Sequence, residues 1–409
     1  MRTVLRFAPL TTASALASIF FSLLLFAASP VLVNGQRPAP KQRPRRVSPS
    51  EGQNPTNSNK PATEEVDEGD VVRVETQLVS VPTVVTNSAG RPVAGLRSES
   101  FKLFENGDEQ RITNFATTEA PFELALLLDT SGSTRADVTL IRQAASAFID
   151  ALRPGDRVAI VGFNSARQGQ SVTARVEVLT QLTDDRKLLR VAIENLGSSN
   201  GTPFYDALNQ IVDDVFRDAP RQEARGRRAI VALTDGVDST SDSDFQTARL
   251  KLIRSGVASY FIQVNTEDFV EDRLLKDCQD DGRLALSTKQ LQRFRQVFFP
   301  RGKPEDYVDF CQMGSFERMQ ISRDLYNLAR REMNELAKAS GGKNFLAHSL
   351  HDARAAFARV ATEIGTQYSL GYYPTNKARD GKFRTIRVEV RGLRDKPQVR
   401  AREGYFANQ

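Results

Sequence analysis

Two cysteines and two histidines are all that the 409 residues hold. So few exclude a disulfide-dense scaffold, a four-cysteine metal site and any large histidine cluster. Beyond the N-terminal 35 residues, no stretch has enough uninterrupted apolar residues to span a bilayer. Catalytic signatures are also missing: there is no Gly-x-Ser-x-Gly elbow, no P-loop and no His-Glu-x-x-His. His348 and His351 stand in "HSLHD" near a strand-to-helix junction, without further ligands, and read as a helix-start feature. The chain is expected not to be an enzyme.

The remaining composition is ordinary, with 40% hydrophobic and 26% charged residues. That excludes a fully disordered or collagen-like chain, and the length suits about two or three domains. The formal charge of +6 is unevenly placed. Arg2 and Arg6 have no acid beside them in 1–35, and 36–60 set six bases against Glu51, so 61–409 are left near −1. A chain basic only at its N-terminus gives little support to nucleic-acid binding.

Arg2 and Arg6 precede the apolar run "ALASIFFSLLLFAA" at 15–28. A positive start followed by such a core predicts export to the periplasm, cell surface or exterior. The segment 1–35 is either a signal peptide cut after Gly35 or an uncleaved anchor, since apolar residues resume at Val31, Leu32 and Val33. An uncleaved segment would be the only membrane attachment. Residues 36–69, rich in Pro, Ser, Asn and basic charge, are predicted to be a disordered linker.

From Phe122 onward apolar runs alternate with amphipathic stretches. Strands are expected at 122–129, 156–165, 174–182, 228–236, 257–264 and 343–347. Helices are expected at 138–152, 184–196, 202–218, 243–254, 322–339 and 351–365. The alternation predicts an α/β fold with a doubly wound, mostly parallel sheet. Ligands of such sheets sit at the carboxyl ends of strands. Three polar clusters stand there: Asp129-Thr130-Ser131-Gly132-Ser133, Gly201-Thr202, and Thr234-Asp235-Gly236. Carboxylates and hydroxyls converging without His or Cys make a hard-oxygen site suited to Mg²⁺ or Mn²⁺.

This combination resembles the von Willebrand factor A domain and its metal-ion-dependent adhesion site. The resemblance implies that Ser131 and Ser133 bind the metal directly, that Thr202 does so in the ligand-competent form, and that Asp129 and Asp235 act mainly through water. It further implies a protein partner presenting an Asp or Glu carboxylate to the open coordination position. Asn200 departs from the glycine that many relatives carry there.

Residues 70–119 and 367–409 hold short strands bounded by Gly, Pro and Asn, including a hairpin turning around Asn106-Gly107-Asp108. Neither half has enough strands to be stable alone. The economical arrangement is one small β-sandwich made of both halves, with the α/β domain (120–366) inserted between them. This order is similar to that of exported bacterial von Willebrand factor A-related proteins. Within the α/β domain, 267–321 form an insertion of about fifty residues, far above ordinary connection lengths. It starts acidic (Glu267, Asp268, Glu271, Asp272, Asp277) and carries both cysteines. In an oxidising compartment Cys278 and Cys311 are expected to form a disulfide, two free thiols being the alternative. Leaving from the metal-bearing edge, the insertion is expected to cap the site. The resulting expectation is an exported adhesion-type module. A cell-envelope scaffold with a structural metal and a metal-assisted hydrolase are the rivals.

Overall fold

The structure is a computed structural model. It describes residues 78–407 apart from 118, 135–137, 169–170, 225, 269, 272–285, 302–312 and 394–395. The chain divides into units 1–71 and 72–409, and all described residues belong to the second. The expected export segment (1–35), the linker (36–69), Cys278 and Cys311 lie outside the described residues. Among the described residues no helix is long and apolar enough to cross a membrane.

Four strands come first: β1 (Val79–Thr86), β2 (Phe101–Glu105), β3 (Asp108–Gln110) and β4 (Ile112–Ala116). The turn between β2 and β3 is the expected one. Asn106 and Gly107 both take positive φ (51° and 98°), as a two-residue hairpin turn demands.

The α/β part follows. Its strands are β5 (Glu123–Leu128), β6 (Arg157–Gln168), β7 (Ser171–Thr183), β8 (Arg228–Thr234), β9 (Ala258–Val264) and β10 (Asn344–Ala347). They form one sheet in the order β10-β9-β8-β5-β6-β7, parallel except for β7 at the edge. The helices are α1 (Val138–Asp150), α2 (Arg186–Glu194), α3 (Phe204–Gln210), α4 (Phe245–Ser255), α5 (Thr288–Phe298), α6 (Ser315–Ser340) and α7 (Ala353–Gly365).

Every residue of β5 is buried because the sheet is covered on both faces. Leu124, Leu126 and Leu128 meet α1, α2 and α7 through Phe148, Ile193 and Phe357. Ala125 and Leu127 face the other way, toward α3, α4 and α6, with Leu208, Leu252 and Leu336. This doubly covered sheet is the predicted fold class.

Two elements differ from the sequence expectation. The helix expected over 202–218 is α-helical only to Gln210 and continues as a π-turn at Ile211–Val215. The helix expected from 322 starts at Ser315, so it takes in the last seven residues of the supposed insertion.

The last strands are β11 (Tyr368–Tyr372), β12 (Phe383–Val390), β13 (Gln398–Ala401) and β14 (Gly404–Phe406). They join the first four in two four-stranded sheets, β13-β1-β11-β4 and β14-β12-β2-β3, each mixing both ends of the described chain. Val81, Leu103, Tyr368, Leu370 and Ile386 build their shared core. A buried carboxylate links the halves: Glu105 receives Arg384 at 3.1 Å and the hydroxyls of Tyr372 and Tyr405 at 2.6 and 2.8 Å.

The chain leaves this sandwich through β4 and returns through β11, and those two strands pair. Exit and entry are thus adjacent, which is the geometry an inserted domain requires. Arg227, 1% exposed, binds both connections, donating to the Thr117 carbonyl at 3.0 Å and to that of Gln367.

Candidate metal centre

The site starts where β5 ends. Asp129 accepts the Ser131 backbone N–H at 2.9 Å, and the Thr134 hydroxyl donates to the Asp129 and Ser131 carbonyls at 2.9 and 3.2 Å. These local bonds curl the loop so that Ser133 reaches the end of β8, where its hydroxyl donates to Asp235 Oδ2 at 2.7 Å. Thr234 ties the same two strands from behind, donating to Asp129 Oδ2 at 2.6 Å.

The Asp235 carboxylate is held from two further directions. Its Oδ1 accepts the Val237 N–H at 3.0 Å, and its Oδ2 accepts the Thr266 hydroxyl at 2.8 Å. Thr266 in turn meets the Tyr326 hydroxyl at 2.6 Å. Gly236, at φ 77°, lets the chain turn directly under Met333.

The third loop precedes α3. Ser199 N–H donates to the Thr130 carbonyl at 3.2 Å, which anchors this loop to the first. Thr202 exchanges two bonds with Ser239: its N–H donates to the Ser239 hydroxyl at 2.8 Å, and its carbonyl accepts the Ser239 N–H at 3.0 Å. A Cβ at Gly201 would sit 2.5 Å from Thr240 Cγ2, so a side chain there would force Thr240 to shift. The structure therefore brings Asp129, Ser131, Ser133, Thr202 and Asp235 to one edge of the sheet. Ser131, Ser133, Thr202 and Asp235 line one cleft there, and Asp129 lies fully buried beside Ser131.

Electrostatics give the site an unfilled requirement. Burial, reinforced by the neighbouring Asp235 carboxylate, pushes Asp129 up to about 7, against hydrogen bonds from Ser131 and Thr234 that favour the anion. Ser131 is 2% exposed, and its hydroxyl, beside the Asp129 carboxylate, meets no partner at good hydrogen-bonding geometry. A buried hydroxyl is normally satisfied. Two close carboxylates and an orphaned hydroxyl, all oxygen donors, fit a hard divalent cation. Among the described residues no group of three or more His, Cys, Asp or Glu could hold a metal.

Several participants were not singled out from the sequence. Thr266 and Tyr326, the props of Asp235, stand two residues after β9 and on α6, with no motif around them. Asp238 is a further buried carboxyl, raised to about 6 by burial, and it accepts the Tyr205 N–H at 3.2 Å and the Ser241 N–H at 3.1 Å. It lies three residues after Asp235, where proximity alone could have drawn notice. Helix α5 carried a legible signal that was passed over. Ser287 and Gln290 form a capping box, the Ser-x-x-Gln pattern of a helix start.

Residues 123–295 match the family model of the von Willebrand factor type A domain. None of the curated proteins compared matches the chain. Among solved structures the chain is similar to a von Willebrand factor type A protein from Catenulispora acidiphila. Identity is 12% and the TM-score 0.38, over 82% of this chain and 74% of that one. It is similar to proximal thread matrix protein 1 from the mussel byssus at 14% identity and TM-score 0.38, over 64% of this chain and 50% of that one. A third is the vWF domain of the type V pili tip protein Mfa5 from Porphyromonas gingivalis, at 14% identity and TM-score 0.32, over 60% of this chain and 95% of that one. The chain spans about half the length of the two byssus structures, 47% and 50%.

Proposed function

On the von Willebrand factor type A domain at 123–295, we propose that this protein is an exported, metal-dependent binding module that captures a carboxylate of a partner protein. Domains of this type are generally protein-interaction or adhesion modules. The observation that carries the metal part is the orphaned Ser131 hydroxyl, buried next to the Asp129 and Asp235 carboxylates. Ser131, Ser133 and Thr202 would hold Mg²⁺ or Mn²⁺ directly, with Asp129 and Asp235 acting mainly through water. The bound cation would supply a concentrated positive charge at which a partner's Asp or Glu carboxylate completes the coordination. The chain's own part is to hold the hydroxyls in place. Thr134 and Thr234 fix the first loop, and Thr266 and Val237 fix Asp235.

The test is capture of envelope proteins by the purified chain in Mg²⁺ and in EDTA, beside calorimetric titration of Mg²⁺. Capture that requires Mg²⁺ and disappears in Ser133→Ala is the expected result. The same proteins captured in EDTA would defeat the proposal and favour a scaffold acting through the sandwich.

A further inference from the structure

The cleft that holds the candidate metal site is walled by the insertion. It is small, about 100 Å³, well below the roughly 300–1,000 Å³ of small-molecule sites. One side carries Ser131, Ser133, Thr202 and Asp235. Beside them the lining is apolar, with Val237, Val270, Leu286 and Leu325 of one packed cluster. Besides Ser131 Oγ, two more buried hydroxyl oxygens of lining residues have no partner, Thr240 Oγ1 and Ser322 Oγ. Ser322 lies on α6 and is 1% exposed. Orphaned buried hydroxyls that line a cleft are groups awaiting a ligand atom.

The wall is pinned to the loops it faces. Ser287, the N-cap of α5, donates to the Ser239 carbonyl at 2.7 Å, and Lys289 donates to the Thr240 and Ser241 carbonyls at 2.9 and 3.0 Å. Arg293 lies over the Tyr205 ring, 4.6 Å from its centre, and pairs with Glu332 on α6. Glu332 also accepts the Tyr205 hydroxyl at 2.7 Å. Tyr205 stands three residues after Thr202. The insertion helix is thereby locked to both the Thr202 and the Asp235 loops.

We infer that α5 and the first half of α6 make this a one-side-chain socket that takes glutamate in preference to aspartate. The inference rests on the metal-dependent reading above. A flat protein surface cannot enter a walled cleft of this size, so the acid arrives on an extended or protruding segment. Its carboxylate meets the cation side and its methylenes lie along the apolar wall, with Thr240 and Ser322 donating to its oxygens. The second methylene of glutamate, buried there, is worth about a fourfold gain in affinity.

The test uses the full chain, saturating Mg²⁺ and two blocked peptides, acetyl-Gly-Glu-Gly-amide and acetyl-Gly-Asp-Gly-amide, followed by ligand-observed NMR. The glutamate peptide is expected to bind about fourfold tighter. Ser322→Ala and the isosteric Thr240→Val are each expected to weaken it about three- to tenfold, with calorimetric Mg²⁺ affinity unchanged and melting temperature not lowered. Equal affinity for the two peptides, no binding of either to the Mg²⁺-loaded chain, or full binding by both variants would overturn the socket while leaving the metal site standing. Failure of the chain to take up Mg²⁺ at all would overturn the metal-dependent reading itself.

Discussion

Ser131→Ala separates a metal-binding hydroxyl from a structural one by the sign of its effect. Without metal, the Ser131 hydroxyl is buried and unpaired, and such a group costs about 1–3 kcal/mol. Alanine removes the oxygen and keeps the Cβ, so in EDTA the variant is expected to be the more stable protein, by about 1 kcal/mol after the small void is counted. For a domain of about 250 residues that is a rise of roughly 2–4 °C in melting temperature. With Mg²⁺ at about a hundred times its dissociation constant, binding stabilises the wild type by about 2.7 kcal/mol, or roughly 5–10 °C. The variant, lacking a direct ligand, should gain little. The order of stability therefore reverses between EDTA and Mg²⁺, and thermal unfolding followed by circular dichroism reads it directly. A variant that is less stable than wild type in EDTA would mean that the hydroxyl already has a structural partner. A variant with the full Mg²⁺ shift would refute its role as a ligand.

Three further outcomes follow from the surroundings. Gly236→Ala puts a Cβ 2.1 Å from Met333 Sδ at a φ of 77°, so left-handed strain and overpacking together should cost about 2–4 kcal/mol in urea unfolding and weaken Mg²⁺ titration by moving Asp235. Arg227→Met strips the Thr117, Ile364 and Gln367 carbonyls of their charged donor. Desolvation already pulls that guanidinium down to about 10, which offsets part of the loss, and a net destabilisation of about 2–4 kcal/mol is expected in the same assay. Asp238 is raised to about 6 by burial, so the folded state holds its proton more tightly than the unfolded chain does. Its contribution is present below about pH 4 and is lost as the pH rises through 6, by up to about 3 kcal/mol. Asp129, raised to about 7, adds a slope of the same sign in that window, so Asp238→Asn should reduce the slope of stability between pH 4 and 7 without abolishing it, and an unchanged slope would place the titration elsewhere.

The parts of this fold that were legible in the sequence are those in which one residue's environment determines its type. A strand covered on both faces needs apolar residues at consecutive positions, so "ELALLL" and "RAIVALT" announced β5 and β8 without help from elsewhere. The loops after them were legible for a related reason. Asp129 bonds Ser131 two residues on, and Asp235 bonds Val237 two residues on, so their short-range patterns survive in the linear chain.

What escaped notice depends on partners far apart in sequence. Thr266 matters because Asp235 and Tyr326 flank it, 31 and 60 residues away on either side. The helices of the insertion are a different case. Helix α5 carries apolar residues at helical spacing, Leu291, Phe294 and Phe298, a stripe legible in the sequence. They join Val237, Ile321 and Leu325 in a small cluster apart from the two cores that cover the sheet. Polar contacts add to it, Arg293 to Tyr205 and Glu332, and Ser287 to Ser239. A segment held by that cluster and by contacts to two site loops, rather than by the core of the sheet, can vary its cleft-facing residues without unfolding the sheet beneath. Sequence variation between proteins of this architecture should therefore concentrate in the residues around Leu286, Gln290 and Ser322, while Ser131, Ser133 and Asp235 are bound to their chemistry by the loops that hold them.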